Sequence, residues 1–435
     1  MRHRPADDDQ PVRGLLVGLG GLTTRGRCLL AAGVALVVCA AGLGERDLLR
    51  AGVFLAVLPL CAVGVVARTR YRLSCDRRLE PPRVESGRAA TVRLRLDNVS
   101  RLPSGVLLME DGLPYTLGGR PRFVLDKIEP RGVRDVTYPV RADTRGRYTI
   151  GPLSVRLTDP FGLCELVRSF ASTDDLIVTP VISKLPGVRL GGDWAGGGDS
   201  TSRAVAASGT DDAATREYRH GDDLRKVHWR STARVGELMV RREEQPFQSR
   251  ATLLLDGRLN AHRGDGPGSS YEYAVSAVAS IAVALSRVGF LLRLMAETGE
   301  DIGPPGVPLT DSVVLDSLAL VETSRAASLM PAATRLRSGL DGILVAVLGD
   351  LDVADAERLA RLRVGAGTCV AVLLDVESWA PLSARHRNET QQAANRTAGL
   401  LAAAGWRVLP VSYGTTLATV WPLAGNRGYS AEIPA

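Results

Sequence analysis

Two apolar runs joined by a few polar residues set the terms for the rest of this chain. The first runs from Cys28 to Leu43 and the second from Ala51 to Ala67, with GERDLLR between them. Each falls slightly short of the roughly 20 residues a membrane-spanning helix needs. Thr23 and Thr24 before the first run, and Leu48 and Leu49 before the second, extend them. A cleaved signal peptide fits less well, because a second apolar run follows at once and no small-residue cleavage site with a polar flank is present. A buried soluble hairpin is the remaining alternative. Pro59 lies inside the second run, a position that membrane helices tolerate.

Charge then orients the hairpin. Arg13, Arg25 and Arg27 precede it, and Arg68, Arg70, Arg72, Arg77 and Arg78 follow it. Arg46 and Arg50 in the loop are offset by Glu45 and Asp47. Positive flanks stay inside, which places residues 1–27, both termini and the soluble body in the cytoplasm and residues 28–67 in the lipid bilayer of the inner (plasma) membrane. Cysteine usage agrees. Cys28, Cys39 and Cys61 lie in the apolar runs, and Cys75, Cys164 and Cys369 are scattered beyond them without CxxC spacing, so no disulfide framework is expected.

With 435 residues the chain has room for two or three domains. Its net charge of +7 comes from arginines interspersed with acids, not from a basic run with interleaved aromatics, so nucleic acid is not an expected partner. Residues 71–186 read as short strands. TVRLRLDN and DVTYPVRA alternate apolar with polar, and turn signals recur at Glu85-Ser86-Gly87, Pro103-Ser104-Gly105 and Arg145-Gly146. The pattern predicts an immunoglobulin-like β-sandwich without the Cys-Trp-Cys pattern of antibody domains. Asp159 reads as a turn residue rather than a ligand. Residues 187–215 are rich in Gly, Ser and Asp and read as a flexible linker. Gly196–Gly198 lacks the Gly-Lys-Ser of a phosphate loop.

From 250 to 435 the pattern becomes strand, helix, strand. ATLLLD, FLLRLMA, GILVAVLGD, TCVAVLLD and WRVLPV are near-continuous apolar strands with helical segments between them. That is the signature of a parallel, Rossmann-type sheet covered on both faces.

Between linker and sheet lies residues 216–244, REYRHGDDLRKVHWRSTARVGELMVRREE. Gly221 permits a turn, Asp222 suits a helix N-cap, and Asp223 complements the dipole of the first turn. Leu224, Val227, His228 and Ser231 share one helical face. Arg230 and Arg234 lie near the helix end, and Gly236 can close it. In ELMVRREE, Leu238 and Val240 face one way and Met239 and Arg241 the other. Trp229 is expected as a buried anchor and Asp223 as the partner of a nearby arginine.

This segment closely resembles the signature of the bacterial membrane-protein family catalogued as domain of unknown function 58, and RGRYTIGPLSVRLTDPFGL, residues 145–163, resembles the family as well. The resemblance implies a membrane-anchored multidomain chain: a two-helix transmembrane hairpin, a β-sandwich and an α/β domain like von Willebrand factor A. Such domains often hold a divalent metal through Asp-x-Ser-x-Ser. Here Asp256 is followed by Gly257, Arg258, Leu259 and Asn260, so both serines are missing. Asp256 is a weak metal candidate, and no metal or cofactor is expected.

The resemblance further implies a non-enzymatic scaffold or adaptor that works with a MoxR-type AAA+ ATPase and a transglutaminase-like membrane protein in envelope protein assembly or maturation. Arg216, Tyr218, Gly221, Asp222, Asp223, Arg225, Trp229, Ala233 and Arg234 would form the structured interface. Two readings rival it. One is a metal-dependent adhesion-type binding domain with Asp256 as first ligand. The other is a hydrolase using His220, Asp222, Asp223 and His228, whose spacing matches no known zinc pattern.

Overall fold

The computed structural model describes residues 21–68, 73–101, 103–104, 106–158, 161–188, 190, 215–218, 227, 229–241, 250–338, 342–362, 367–380 and 384–425. Asp159 and most of the expected linker fall outside them. The chain divides into two compact units. One runs to Ile182 and includes Leu315–Val321; the other comprises Ser183–Val314 and the chain from Glu322 onward.

The first unit opens with helices α1 (Thr24–Leu43) and α2 (Arg46–Arg68). Both are long and apolar enough to cross a membrane. Thr23 caps α1, its hydroxyl accepting from the Gly26 N–H at 3.2 Å, and Gly44 closes it at φ 72°. Only about a fifth of either apolar stretch is covered by protein, 17% and 22%, unlike the helices of a soluble core. Val34, Val38, Phe54, Val57 and Leu60 point outward. The two helices touch through glycine. A Cβ on Gly33 would stand 2.6 Å from the Ala56 nitrogen, and one on Gly52 2.8 Å from the Val37 nitrogen. Small residues at such crossings let backbones approach where lipid supplies no hydrophobic drive.

The foot of the hairpin is attached to the sandwich. Thr23 N–H donates to the Leu163 carbonyl at 3.0 Å, the Thr23 hydroxyl donates to the Gly162 carbonyl at 2.7 Å, and Leu22 bridges Cys164. Leu22, Ala62, Val63, Leu163 and Cys164 pack there as one small apolar cluster.

The sandwich contains β1 (Leu73–Glu80), β2 (Arg83–Glu85), β3 (Ala89–Asn98), β4 (Leu107–Asp111), β5 (Arg122–Leu125), β6 (Val133–Arg141), β7 (Gly146–Ile150), β8 (Leu153–Thr158), β9 (Glu165–Phe170) and β10 (Asp174–Thr179). They form antiparallel sheets ordered β1-β3-β6 and β5-β4-β8-β9, with a third, β2-β10-β7, in which β2 runs parallel to β10. Alternation in β3 is strict: Ala90, Val92, Leu94 and Leu96 are buried, and the residues between them are exposed. They join Leu107, Met109, Leu153, Val155 and Leu176 in one core, each large side chain contributing roughly 1.5–3 kcal/mol by leaving water.

One polar group interrupts that core. The Arg77 guanidinium, 1% exposed, donates to Asp111 at 2.7 Å and to the carbonyls of Ile150 and Ser172 at 3.2 and 2.9 Å. Tyr138 donates its hydroxyl to Asp111 at 2.5 Å. Buried charge is tolerated when its partners are this complete.

The second unit holds a small hairpin, β11 (Thr215–Glu217) and β12 (Met239–Arg241), with helix α3 (Trp229–Val235), and then a parallel sheet. The sheet strands are β13 (Arg250–Leu255), β14 (Leu291–Ala296), β15 (Ile343–Leu348), β16 (Cys369–Leu374) and β17 (Arg407–Val411). These are the five apolar segments read from the sequence. All neighbours are parallel, in the order β14-β13-β15-β16-β17. Counted along the chain this is 2-1-3-4-5, a doubly wound arrangement whose order reverses beside the first strand. Every residue of β15 and β16 is buried, as strands covered on both faces must be.

Helix α4 (Ser270–Arg287) packs on β13, β14 and β15. Ser269 caps it by accepting from the Glu272 N–H at 3.2 Å, an S-x-x-E start. Helices Met330–Arg337 and Val353–Ala360 contribute Leu336 and Leu359 to a second core with Leu254, Leu344, Ala346, Ala371, Leu401 and Trp406.

Candidate functional site

Two places carry residues singled out by the sequence. The first is the charged segment, residues 216–244. β11 and β12 pair antiparallel, setting Arg216 opposite Val240, and the Tyr218 N–H donates to the Leu238 carbonyl at 2.8 Å. Gly236 ends α3 as expected, at φ 85°, its N–H returning to the Thr232 carbonyl at 2.9 Å. The Thr232 hydroxyl then accepts from Met239 N–H at 3.0 Å, which ties the helix to β12.

Three expectations need correction. Trp229 is not a buried anchor but 71% exposed, and no residue of α3 is buried. A seven-residue helix can bury a face only if another element lies on it, and local pattern does not say whether one does. Val227 does not lie on the helix; it forms an antiparallel bridge with Val240, and both are buried. Leu238 does not share the burial of Val240 but is 40% exposed, since it precedes the strand instead of belonging to it. Ala233 and Arg234 are exposed on α3. Gly221, Asp222, Asp223 and Arg225 lie outside the described residues, as do His220 and His228, so the Asp223 ion pair and the His–Asp grouping have no described geometry.

The second place is the C-terminal edge of the parallel sheet, around Asp256. Both Asp256 oxygens are occupied. Arg258 donates to them through Nε at 2.9 Å and Nη2 at 2.8 Å, and the backbone N–H groups of Arg258 and Gly349 add bonds of 3.2 Å each. Arg258 also donates from Nη1 to Asp355 at 3.0 Å and from Nη2 to the Asp350 carbonyl at 2.9 Å. Asp355 accepts in addition from the Leu329 N–H at 3.0 Å and from Arg358 at 2.7 Å. Burial by itself would weaken the Arg258 charge; the hydrogen bonds and negative charge of Asp256, with that of Asp355, outweigh it and hold the guanidinium above its ordinary range. Asp256 therefore faces an internal cation. Among the described residues no three His, Cys, Asp or Glu side chains converge as metal ligands.

Nearby sits a pair that sequence reasoning missed. His262 Nε2 lies 2.8 Å from the Asp256 carbonyl, so this nitrogen carries the proton, and Nδ1 accepts from the Ser270 hydroxyl at 3.1 Å. Burial, followed by the nearby Arg258 and Arg263 charges, lowers the His262 pKa against the pull of Asp256. Ser270 is wholly buried, which suits it to fastening the 256–270 loop and denies it a substrate. No spacing rule joins His262 to Ser270; the turn Gly264–Gly268 brings them together.

A hairpin long enough to span a membrane, a β-sandwich and a doubly wound parallel domain define a modular protein. Residues 214–375 match the model of the family described as "Protein of unknown function DUF58". It is also similar to the Uncharacterized protein YeaD of Bacillus subtilis (strain 168), with 25% identity over 236 residues, 52% of this chain and 57% of the relative. The chain thus spans little more than half the length of that relative. Among solved structures, the CARDB domain of the PF1109 protein from Pyrococcus furiosus matches 25% of this chain and 90% of its own at 13% identity and a TM-score of 0.19. The sporulation control protein Spo0M from Bacillus subtilis matches 24% of this chain and 49% of its own at 12% identity and a TM-score of 0.16. Likenesses at that level say nothing about chemistry.

Proposed function

We propose that this protein is a membrane-anchored, non-enzymatic adaptor whose docking surface is the charged segment on which Trp229 stands exposed. On this reading the hairpin holds the body at the inner face of the membrane, and the sandwich is of the immunoglobulin-like kind. The parallel domain is an A-type domain whose metal position has degenerated. The partner is a MoxR-type AAA+ ATPase acting in envelope protein assembly or maturation together with a transglutaminase-like membrane protein.

The observation that carries the reading is Trp229. A tryptophan left 71% in water on a helix with no buried residue contributes little to folding. Tryptophan and arginine are the side chains that most often anchor protein interfaces, and Arg234 is exposed on the same helix. The test uses the full-length chain in detergent. Trp229→Ala and Arg234→Glu are expected to unfold within about 0.5 kcal/mol of wild type, as surface changes do. Trp229→Ala is expected to weaken capture of the purified ATPase by roughly thirtyfold or more, the mark of an interface hot spot. Capture of the ATPase by both variants at wild-type strength would sink the proposal.

A further inference from the structure

Four of the five parallel strands end in a carboxylate at the same edge of the sheet. Asp256 follows β13, Glu297 follows β14, Gly349-Asp350 follows β15 and Asp375 follows β16. This is the edge at which open parallel sheets take their ligands. One cation, the guanidinium of Arg258, fills the part of it beside the first strand and is only 3% exposed. Its partners are two carboxylates and one backbone carbonyl, all oxygen. A hard divalent cation takes the same donors, and magnesium commonly binds through one or two carboxylates and completes its shell with water.

The carboxylates are also held from behind. Asp256 accepts from the Gly349 N–H at 3.2 Å and Asp355 from the Leu329 N–H at 3.0 Å, so neither depends on Arg258 alone for its position. Arg258 is fixed in turn. Leu259 N–H donates to the Ser324 carbonyl at 2.8 Å and Ser324 N–H to the Gly257 carbonyl at 2.7 Å, on either side of it. Arg258 and Arg358 together offset the charges of Asp256 and Asp355, so the cluster is neutral without an ion.

We propose that Arg258 is a built-in cation. It occupies the Asp256–Asp355 cleft as a bound magnesium or manganese ion would, and removing it converts the cleft into a divalent-cation site. The native domain is then insensitive to metal concentration because its cation is covalently attached. This inference goes beyond the adaptor reading and does not depend on it, since its readout is folding and not capture.

The experiment compares full-length wild type, Arg258→Ala, Arg258→Lys and the double variant Arg258→Ala with Asp256→Asn, each treated with chelator in detergent and then titrated with MgCl2 or MnCl2 while unfolding is followed. Wild type and Arg258→Lys are expected to hold their Tm throughout. Arg258→Ala is expected to lose on the order of 10 °C in chelator, from a buried carboxylate left unpaired. It should regain most of that loss saturably with either metal, through binding to the folded state alone. The double variant should not recover. The proposal is overturned if Arg258→Ala loses no stability, if neither metal restores it, or if the double variant recovers equally. It is overturned as well if wild type shows the same saturable rise. An Arg258→Ala protein that cannot be obtained folded even when made and purified with manganese overturns it too, because the ion then does not replace the side chain.

Discussion

Arg77 and Arg258 meet the same requirement in different units, a guanidinium out of water with every oxygen around it accounted for. In the sandwich burial, then the bond to Asp111, pushes the Tyr138 hydroxyl far above its usual range. In the parallel domain the group to watch is His262. Its folded-state pKa lies below the ordinary 6.5, so the stability it contributes is complete above that pH and is lost as pH falls through the folded value. Thermal stability is therefore expected to decline as pH falls below about 6.5, and His262→Asn is expected to flatten that slope. Identical slopes in the two proteins would show that His262 is not the responsible group. Asp256 could be picked out from its place at the end of an apolar strand, and Arg258 as the residue that spoils a metal motif. That the arginine takes the ion's place could not be read, because Asp355 is 97 positions away and the Asp350 carbonyl belongs to backbone.

Elements were legible where their periodicity is enforced by burial on a known face. The alternation of β3 and the five apolar strands of the parallel sheet are of this kind, since their patterns have one solution. The charged segment is not, because its hairpin and helix take position from contacts rather than from propensity, and Trp229, expected to be buried, stands exposed. The two apolar helices show a third case: apolar composition located them, but the glycines at which they meet emerge only in three dimensions. Gly33→Val is expected to lower the stability of the detergent-solubilised chain by about 1–3 kcal/mol, as overpacking does. Gly42→Ala, where an added Cβ meets nothing within 4 Å, is expected to be neutral or slightly stabilising. Thermal unfolding of the pair checks this, and equal effects would argue that the Gly33 crossing does not hold the hairpin closed.

At the scale of the whole molecule the arginines flanking the hairpin set the expected topology. A reporter fused after Ala435 is expected to behave as cytoplasmic, and a fusion in the loop around Glu45 as exported. Export of the C-terminal reporter would reverse the orientation and remove a cytoplasmic ATPase from reach.

The attachment of the hairpin's foot to the sandwich bears on how such a protein transmits force. Thr23 and Leu22, immediately before α1, bond and pack onto Gly162–Cys164, so the start of the apolar helix is sutured to a loop of the sandwich. A pull on the sandwich is expected to reach α1 through those bonds without first straightening a slack leash. Set in a bilayer, a hairpin fastened in this way is expected to tilt together with the sandwich as one stiff lever.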